Sequence, residues 1–174
     1  ETTTMSESLS ELFRYNVWAT ESLFDACESL SIEQLDATAV GTFGTIRDTL
    51  VHLVGAQERF AAALAEDEQA NTSRERMPYT GLADLRVAAR ASGERLVEIA
   101  ENMTDGATVP INDRGTEYTM PVWVLLLQSL VHGLEHRTQV AAILTQLGVD
   151  PPGMDGWTYH EMNFGADWSR LWSS

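Results

Sequence analysis

Three of the four histidines in this sequence have a spacing suited to binding one metal ion. His132 and His136 are four residues apart in an apolar segment, and His52 lies in an earlier amphipathic segment. Residues at i and i+4 project from the same face of an α-helix. Three neutral imidazoles from two adjacent helices leave one coordination position open for water or substrate, as in reactive metal sites. The sequence therefore predicts a divalent-metal site at His52, His132 and His136.

The same spacing has a plainer interpretation, in which the imidazoles are hydrogen-bonded residues of the core. Burying several imidazoles without a shared ligand is costly, and this cost favours the metal site. The remaining histidine, His160, lies beside Tyr159 in an aromatic segment. We expect it to be a surface or packing residue rather than a fourth ligand.

The sequence from His132 to His136 also matches H-x-x-E-H, the pattern of the inverted zinc proteases, in which the glutamate activates water. Proteases of that class are much larger and have a further carboxylate ligand well downstream. Here Glu161 is the one glutamate that follows His136. We therefore expect Glu135 to flank the site or to contact a ligand, and we keep it as a catalytic candidate.

Further polar residues near the predicted ligands are candidates for a catalytic or supporting role. Asp48, one turn before His52, is placed to orient that imidazole, and Arg59 is placed to meet an anionic group of a substrate. Asn16 interrupts the apolar stripe of the first helix. Asp48 and Arg59 have the alternative of forming a solvated charge pair. Small residues on the His52 face predict a void beside the imidazole, namely Gly55, Ala56 and Ala63.

Four long amphipathic patterns must position these residues, and they predict an all-α four-helix bundle with long connections and a short C-terminal extension. We treat residues 1–174 as one domain. The predicted helices run over about 8–29, 45–66, 80–103 and 121–147, with caps at Thr45, Thr80 and Thr119. A short capped turn is expected at 31–35 and a small hairpin turning at 113–115. Connections longer than ten residues mean that a simple up-down-up-down order is not assured.

The fourth helix is predicted to be apolar on two faces. Its first stripe contains Leu125, His132, His136 and Ile143, and a second stripe lies about half a turn away. The second stripe consists of Trp123, Leu127, Leu130, Leu134 and Ala141. A helix that is apolar on both sides is usually buried on both, so we expect the histidine stripe to face the interior or a cleft.

The composition limits the classes of molecule that this protein is expected to bind. The net charge is −15, and the eleven basic residues are all arginines that form no run. Such a surface repels phosphate backbones and anionic lipids, so neither nucleic acid nor a membrane is an expected partner. No signal-peptide pattern opens the chain, and its longest apolar stretch is shorter than the roughly 20 residues that span a bilayer. The single cysteine, Cys27, lies among apolar residues, which predicts a core position and a reducing, cytoplasmic setting.

Three segments carry a resemblance to a known family. They are Tyr15–Ala19 (YNVWA), Gly44–Leu53 (GTIRDTLVHL) and His132–Val140 (HGLEHRTQV), and the last leads to Leu147-Gly148 and Pro151-Pro152. Together they resemble the DinB-like, or YfiT-like, metal-binding four-helix bundles, over nearly the whole chain. The chain departs from the commonest family pattern at Thr138, where glycine is usual, and at Glu135, where many members have histidine.

The resemblance implies a divalent metal, zinc or nickel, held by His52, His132 and His136. Characterised relatives include mycothiol-dependent maleylpyruvate isomerase and bacillithiol transferases, whereas many relatives have no known activity. Relatives often dimerise through their bundle helices, so a homodimer is expected.

Our first hypothesis is a metal-dependent enzyme of the thiol S-transferase type, with a low-molecular-weight thiol as cosubstrate and a small electrophile as substrate. The alternative is a metal-binding or stress-response protein without turnover. A third interpretation, metal-assisted hydrolysis, uses the same ligands.

Overall fold

The computed structural model describes residues 5–67, 74–113 and 115–165, which are predominantly helical. The helices are α1 (Met5–Cys27), α2 (Ile32–Leu35), α3 (Ile46–Leu64), α4 (Leu82–Asn102), α5 (Val122–Gln146) and α6 (Gly156–Phe164). A short 3₁₀ helix (Arg74–Arg76) precedes α4, and strands β1 (Thr108–Asp113) and β2 (Thr116–Pro121) precede α5. The predicted all-α fold is confirmed, with α1, α3, α4 and α5 as its four long helices.

The four long helices are not connected in up-down-up-down order. α4 packs between α1 and α3, and α5 packs on α3 and, less extensively, on α1. Helices α1 and α3 therefore face each other across one diagonal of the bundle, and α4 and α5 across the other. The connections over 28–45 and 103–121 cross these diagonals, which requires their length. This packing places α3 beside α5, the two helices that contain the predicted ligands.

Local sequence signals explain where α2 and α3 begin. Thr45 caps α3 by accepting the backbone N–H of Asp48, and Ser31 forms a capping box with Gln34 at α2. The other two predicted caps are wrong. Gly81 occupies the N-cap of α4 without a side-chain cap, and Thr119 lies in β2. The hairpin explains the second error, because β2 pairs with β1 as far as Pro121 and leaves α5 to begin only at Val122.

The predicted hairpin is confirmed, and it has a packing role. β1 and β2 pair antiparallel from Thr108↔Pro121 to Asp113↔Thr116. Val109 of β1 is 3 % exposed and joins Val122 in an apolar cluster of the bundle. The hairpin thus covers apolar surface near the start of α5, which a polar connection of the same length would leave open to water.

The core consists of two apolar clusters separated by a polar layer. One cluster contains Leu23, Phe24 and Ile143, and the other contains Phe13 and Leu126. On each long helix a buried polar residue lies between the two clusters along the chain. The members of this layer are Asn16, Thr20, Gln57, Ser92 and Arg137. His132 and His136 fall between the same two clusters on α5, so the candidate site lies beside the polar layer at mid-bundle.

The histidine stripe of α5 faces the interior, as expected, but the second stripe is not buried. On the second stripe Trp123, Leu127 and Leu134 are 58 %, 51 % and 52 % exposed. α5 packs mainly on α3 and α1 among the long helices, and these three side chains lie on the side of α5 that faces away from both. The expected homodimer stays a prediction.

The C-terminal extension packs along α1. The Tyr15 hydroxyl donates to the carbonyl of Met154 at 2.7 Å, and the Tyr159 hydroxyl donates to Glu11 at 2.5 Å. Residues 166–174, which the sequence also placed in this extension, lie outside the described residues. Within the described part of the chain, no helix combines the length and apolar character needed to cross a bilayer.

Candidate metal centre

The three predicted ligands come together where α3 packs against α5. His52 Nε2 lies 3.1 Å from His132 Nε2, and the ring centroids of His132 and His136 are 4.3 Å apart. The ring centroids of His52 and His136 are 4.8 Å apart. One ring nitrogen from each histidine can be chosen so that all three nitrogens lie within 4.8 Å of one another. The i and i+4 spacing on α5 and the packing of α3 against it account for this convergence.

The spacing of the nitrogens fits a shared cation. Two nitrogen ligands of one tetrahedral zinc ion, each at about 2.0–2.1 Å, lie roughly 3.3 Å apart. The His52–His132 separation of 3.1 Å is close to this value. All three nitrogens lie within 4.8 Å of one another, so no pair has to approach by more than about 1.5 Å to share one ion. The residues present therefore fit a divalent ion held by three imidazoles.

Two of the imidazoles are hydrogen-bonded through the ring nitrogen that faces away from the cluster. His52 Nδ1 lies 3.2 Å from Glu75 Oε1, and His136 Nδ1 lies 3.0 Å from Gln139 Oε1. The backbone N–H of Phe43 also donates to Gln139 Oε1, at 3.1 Å, which supports the oxygen assignment of that amide. Both partners accept, so each Nδ1 carries the proton and each Nε2 keeps its lone pair for a metal.

The surroundings of His132 and His52 favour the neutral form of each ring. Burial lowers the pKa of His132 to about 4, and the neighbouring His136 and His52 contribute in the same direction. Burial also lowers the pKa of His52, followed by the effect of His136, while the hydrogen bond to Glu75 opposes the change. A neutral imidazole is the form that binds metal, so His132 and His52 need not lose a proton at pH 7.

We expect the metal-free protein to lose stability as the pH falls from about 7 to 4. In the unfolded chain the pKa of His132 returns to about 6.5. The unfolded state then binds more protons than the folded state across this window, so the free energy of unfolding falls with pH. The contribution of His132 is on the order of 2 kcal/mol, because partial exposure reduces the full effect. Urea unfolding at both pH values would show a smaller loss for His132→Gln than for wild type, and equal losses would contradict this account.

Aromatic rings form two walls of the site. Phe43 stacks on His52 with ring centroids 4.2 Å apart and planes 11° from parallel, and it meets the edge of His136 at 5.5 Å. Phe60 meets His132 edge to face at 5.8 Å. Phe43 is 53 % exposed, so it covers the ligands on the side that opens to solvent. With a cation bound, these walls would favour apolar or aromatic molecules beside it and limit the access of water.

The structure reassigns the charged residues near His52. Glu75, from the 3₁₀ helix, contacts the imidazole, whereas Asp48 is exposed and leaves this position to Glu75. Arg59 donates to both oxygens of Glu75, at 2.8 Å and 2.7 Å, so it is engaged by a carboxylate of the chain instead of a substrate anion. The predicted Asp48–Arg59 charge pair is replaced by Glu75–Arg59.

The void predicted beside His52 is filled. A Cβ on Gly55 would lie 2.8 Å from Glu75 Oε2 and 3.2 Å from the Cβ of Arg74. The small side chain therefore accommodates the 3₁₀ helix rather than a ligand pocket. Sequence reasoning identified the small residues correctly but could not say which part of the chain would cover them.

The other two catalytic candidates lie away from the metal ligands. Asn16 is 1 % exposed, and its side-chain oxygen accepts from Arg137 Nη1 at 2.7 Å, so it ties α1 to α5 within the polar layer. Glu135 is exposed, and among the described residues no hydrogen bond joins it to the three imidazoles. His160 is exposed and stacks on Phe164 in α6, as expected for a residue that is not a ligand.

Arg137 explains why consecutive residues of α5 serve different functions. Neighbouring helix positions are rotated by about 100°, so His136 faces α3 while Arg137 faces α1. The guanidinium donates to Asn16 and to the Thr20 hydroxyl, the latter at 3.1 Å. A Cβ on Gly133 would lie 2.8 Å from Asn16 Oδ1, so glycine permits this close approach. The polar layer thereby sets the rotation of α5 that directs His132 and His136 toward His52.

The sequence analysis assigned no role in the site to four residues that the structure places there. Only one of them, Gln139, had a signal in the sequence that could have identified it. Gln139 lies one turn after His136, and a polar residue at that position was a usable signal. Phe43, Phe60 and Glu75 had none, because they reach the site through loop geometry or helix packing rather than through a periodic pattern.

The fold and the site together define a class of protein: a helical bundle with a candidate divalent-metal centre of three histidines between two of its long helices. The chain belongs to the DinB family, whose model matches residues 5–170. A comparison with curated proteins yields no match. The matched range includes both segments that contain the imidazoles, so the family resemblance of these motifs is confirmed.

Proposed function

We propose that this protein is a metal-dependent enzyme of the thiol S-transferase type, in which His52, His132 and His136 hold zinc or nickel. The observation that carries the proposal is the convergence of three imidazoles with one coordination position left over. Among the described residues, no further histidine, cysteine, aspartate or glutamate joins the cluster. Structural zinc sites normally have four protein ligands, whereas catalytic sites keep a position open, so this arrangement supports turnover.

A divalent cation bound here would supply Lewis-acid chemistry, lowering the pKa of a thiol at the open position so that a thiolate forms at neutral pH. The chain's own residues keep His52 and His132 neutral, orient two of the rings, and shield the position with Phe43 and Phe60. With a chlorinated substrate, the sulfur–carbon bond forms as the carbon–chlorine bond breaks, and the thiol proton passes to solvent.

The thiol has to come from a small molecule. Cys27 is the one cysteine of the sequence, and its side chain is 0 % exposed. Burial raises the pKa of the Cys27 thiol to about 12, so it stays protonated and unreactive. A low-molecular-weight thiol in the cytoplasm is therefore the proposed cosubstrate, with a small electrophile as the second substrate.

The alternative is a metal-binding protein without turnover. It predicts stoichiometric metal and no reaction, whereas the enzyme requires the open position to admit substrate. Hydrolysis by a water molecule at the same position would appear as electrophile consumption without added thiol.

The test pairs zinc- and nickel-loaded protein with mycothiol, bacillithiol, glutathione and coenzyme A against chlorinated and epoxide electrophiles. We expect at least one pairing to exceed the metal-free control. Phe43→Ala should keep the metal content and lower that turnover by about tenfold, because it removes the ring that shapes the open position. Val40→Ala, on the same loop and fully exposed, is the matched control. If no pairing exceeds the metal-free control, the metal-binding protein without turnover is the correct interpretation.

A further inference from the structure

We propose that Glu75 is a positioning residue of the metal site, which holds His52 in the tautomer that presents Nε2 to the cation. The inference rests on the proposed function, since it concerns the same three ligands. Its starting point is the 3.2 Å contact between His52 Nδ1 and Glu75 Oε1. An ionised carboxylate can only accept a hydrogen bond, so the neutral ring has to carry its proton on Nδ1.

Arg59 keeps this carboxylate in place. Its Nη1 donates to both oxygens of Glu75, so the carboxylate is fixed between a guanidinium and an imidazole. Because Arg59 and His52 occupy its oxygens, Glu75 acts as a hydrogen-bond acceptor rather than as a fourth ligand.

The backbone of α3 is shaped for the same contact. Gly55 lies one turn after His52, and a Cβ there would meet Glu75 Oε2 at 2.8 Å. The side chains of His52 and Glu75 are 22 % and 26 % exposed, so the hydrogen bond is partly shielded from water. A solvent-exposed surface pair would need neither a glycine opposite it nor a second cationic partner.

The position of Arg74 adds an anchor for the 3₁₀ helix. Its Nε donates to Glu58 Oε2 at 2.7 Å, which ties the residue before Glu75 to α3. The 3₁₀ helix is thus attached to α3 through Glu58, Arg59 and His52. A segment outside the four long helices thereby sets the orientation of a ligand inside them.

The inference can be tested by measuring the zinc affinity of the protein at one pH near 8, in competition with a chromophoric chelator. We expect Glu75→Ala to weaken zinc binding by about tenfold or more. Glu75→Gln should lose less, because its amide oxygen can still accept from Nδ1. Gly55→Ala should approach the Glu75→Ala value, since the added methyl displaces the carboxylate without removing it. Asp48→Asn is the matched control, because it removes a carboxylate charge one turn before His52 while the hydrogen bond from His52 to Glu75 stays in place. It should change the zinc affinity less than about twofold.

The nitrogen chemical shifts of the His52 ring in the metal-free protein provide a second measurement, which a general loss of stability would not reproduce. Wild type should show a protonated Nδ1, and Glu75→Ala should shift the ring toward the Nε2-protonated tautomer. If Glu75→Ala binds zinc as tightly as Asp48→Asn does, and its His52 ring keeps the tautomer of wild type, the inference about Glu75 is wrong while the metal site stands. If wild type takes up no metal, the proposed function fails, and the nitrogen shifts still decide the role of Glu75.

Discussion

Replacing His136 with alanine is expected to weaken zinc or nickel binding by a few hundredfold or more. Structural zinc sites bind with about 10–16 kcal/mol over four ligands, so one ligand contributes on the order of 2.5–4 kcal/mol. His136 is 5 % exposed and is held by Gln139, so no solvent-facing rotamer competes with its place in the cluster. Elemental analysis of protein purified without an affinity tag, followed by calorimetric titration with zinc, measures the effect.

His160→Ala provides the matched control for that measurement. It removes the same side chain from α6, where the imidazole stacks on Phe164 away from the cluster. Its zinc affinity should equal that of wild type. Stoichiometric, tightly held metal in His136→Ala would show that the cation is bound elsewhere and would remove the basis of the three-histidine site.

A second large effect is expected in the polar layer. Asn16→Ala should lower the free energy of unfolding by about 3 kcal/mol, because a buried guanidinium loses its best acceptor. Arg137 is 1 % exposed, and without Asn16 its guanidinium keeps the Thr20 hydroxyl at 3.1 Å and the Tyr15 ring at 6.0 Å, which are weaker partners than the amide oxygen at 2.7 Å. The substitution also removes the weaker hydrogen bond that Asn16 Nδ2 donates to Gln57 Oε1 at 3.3 Å. Urea unfolding of the metal-free protein gives the change.

The same experiment on Asn102→Ala, at an exposed position of α4, should cost less than about 1 kcal/mol. The coupling can be isolated in an Arg137→Met background, where no buried charge needs the acceptor. There Asn16→Ala should cost much less than in wild type. An equal cost in both backgrounds would mean that Asn16 stabilises the bundle through packing, independently of Arg137.

Much of the site was predictable because its main determinants are local. The four-residue spacing of His132 and His136 places both imidazoles on one helix face whatever surrounds the helix. The cap at Thr45 and the glycine that ends α5, Gly148 with φ +76°, are also local, since each satisfies or terminates backbone hydrogen bonding at one helix end. Among the three predicted ligands, only His52 comes from a second helix, and the amphipathic pattern of α3 already placed it at the border of the buried stripe.

The tertiary structure decided which groups meet across helices and loops. Asp48 and Glu75 are both acidic residues, and only the fold shows that the distant one contacts His52, because the 3₁₀ helix folds back onto the glycine of α3. In the same way, apolarity alone predicted that Leu127 would be buried, but burial depends on a neighbouring element. Helices α3 and α1 pack on the sides of α5 that bear His136 and Arg137, and Leu127 lies away from both. Periodicity specifies the direction of a side chain relative to its own helix axis, whereas its partner depends on how separate elements pack.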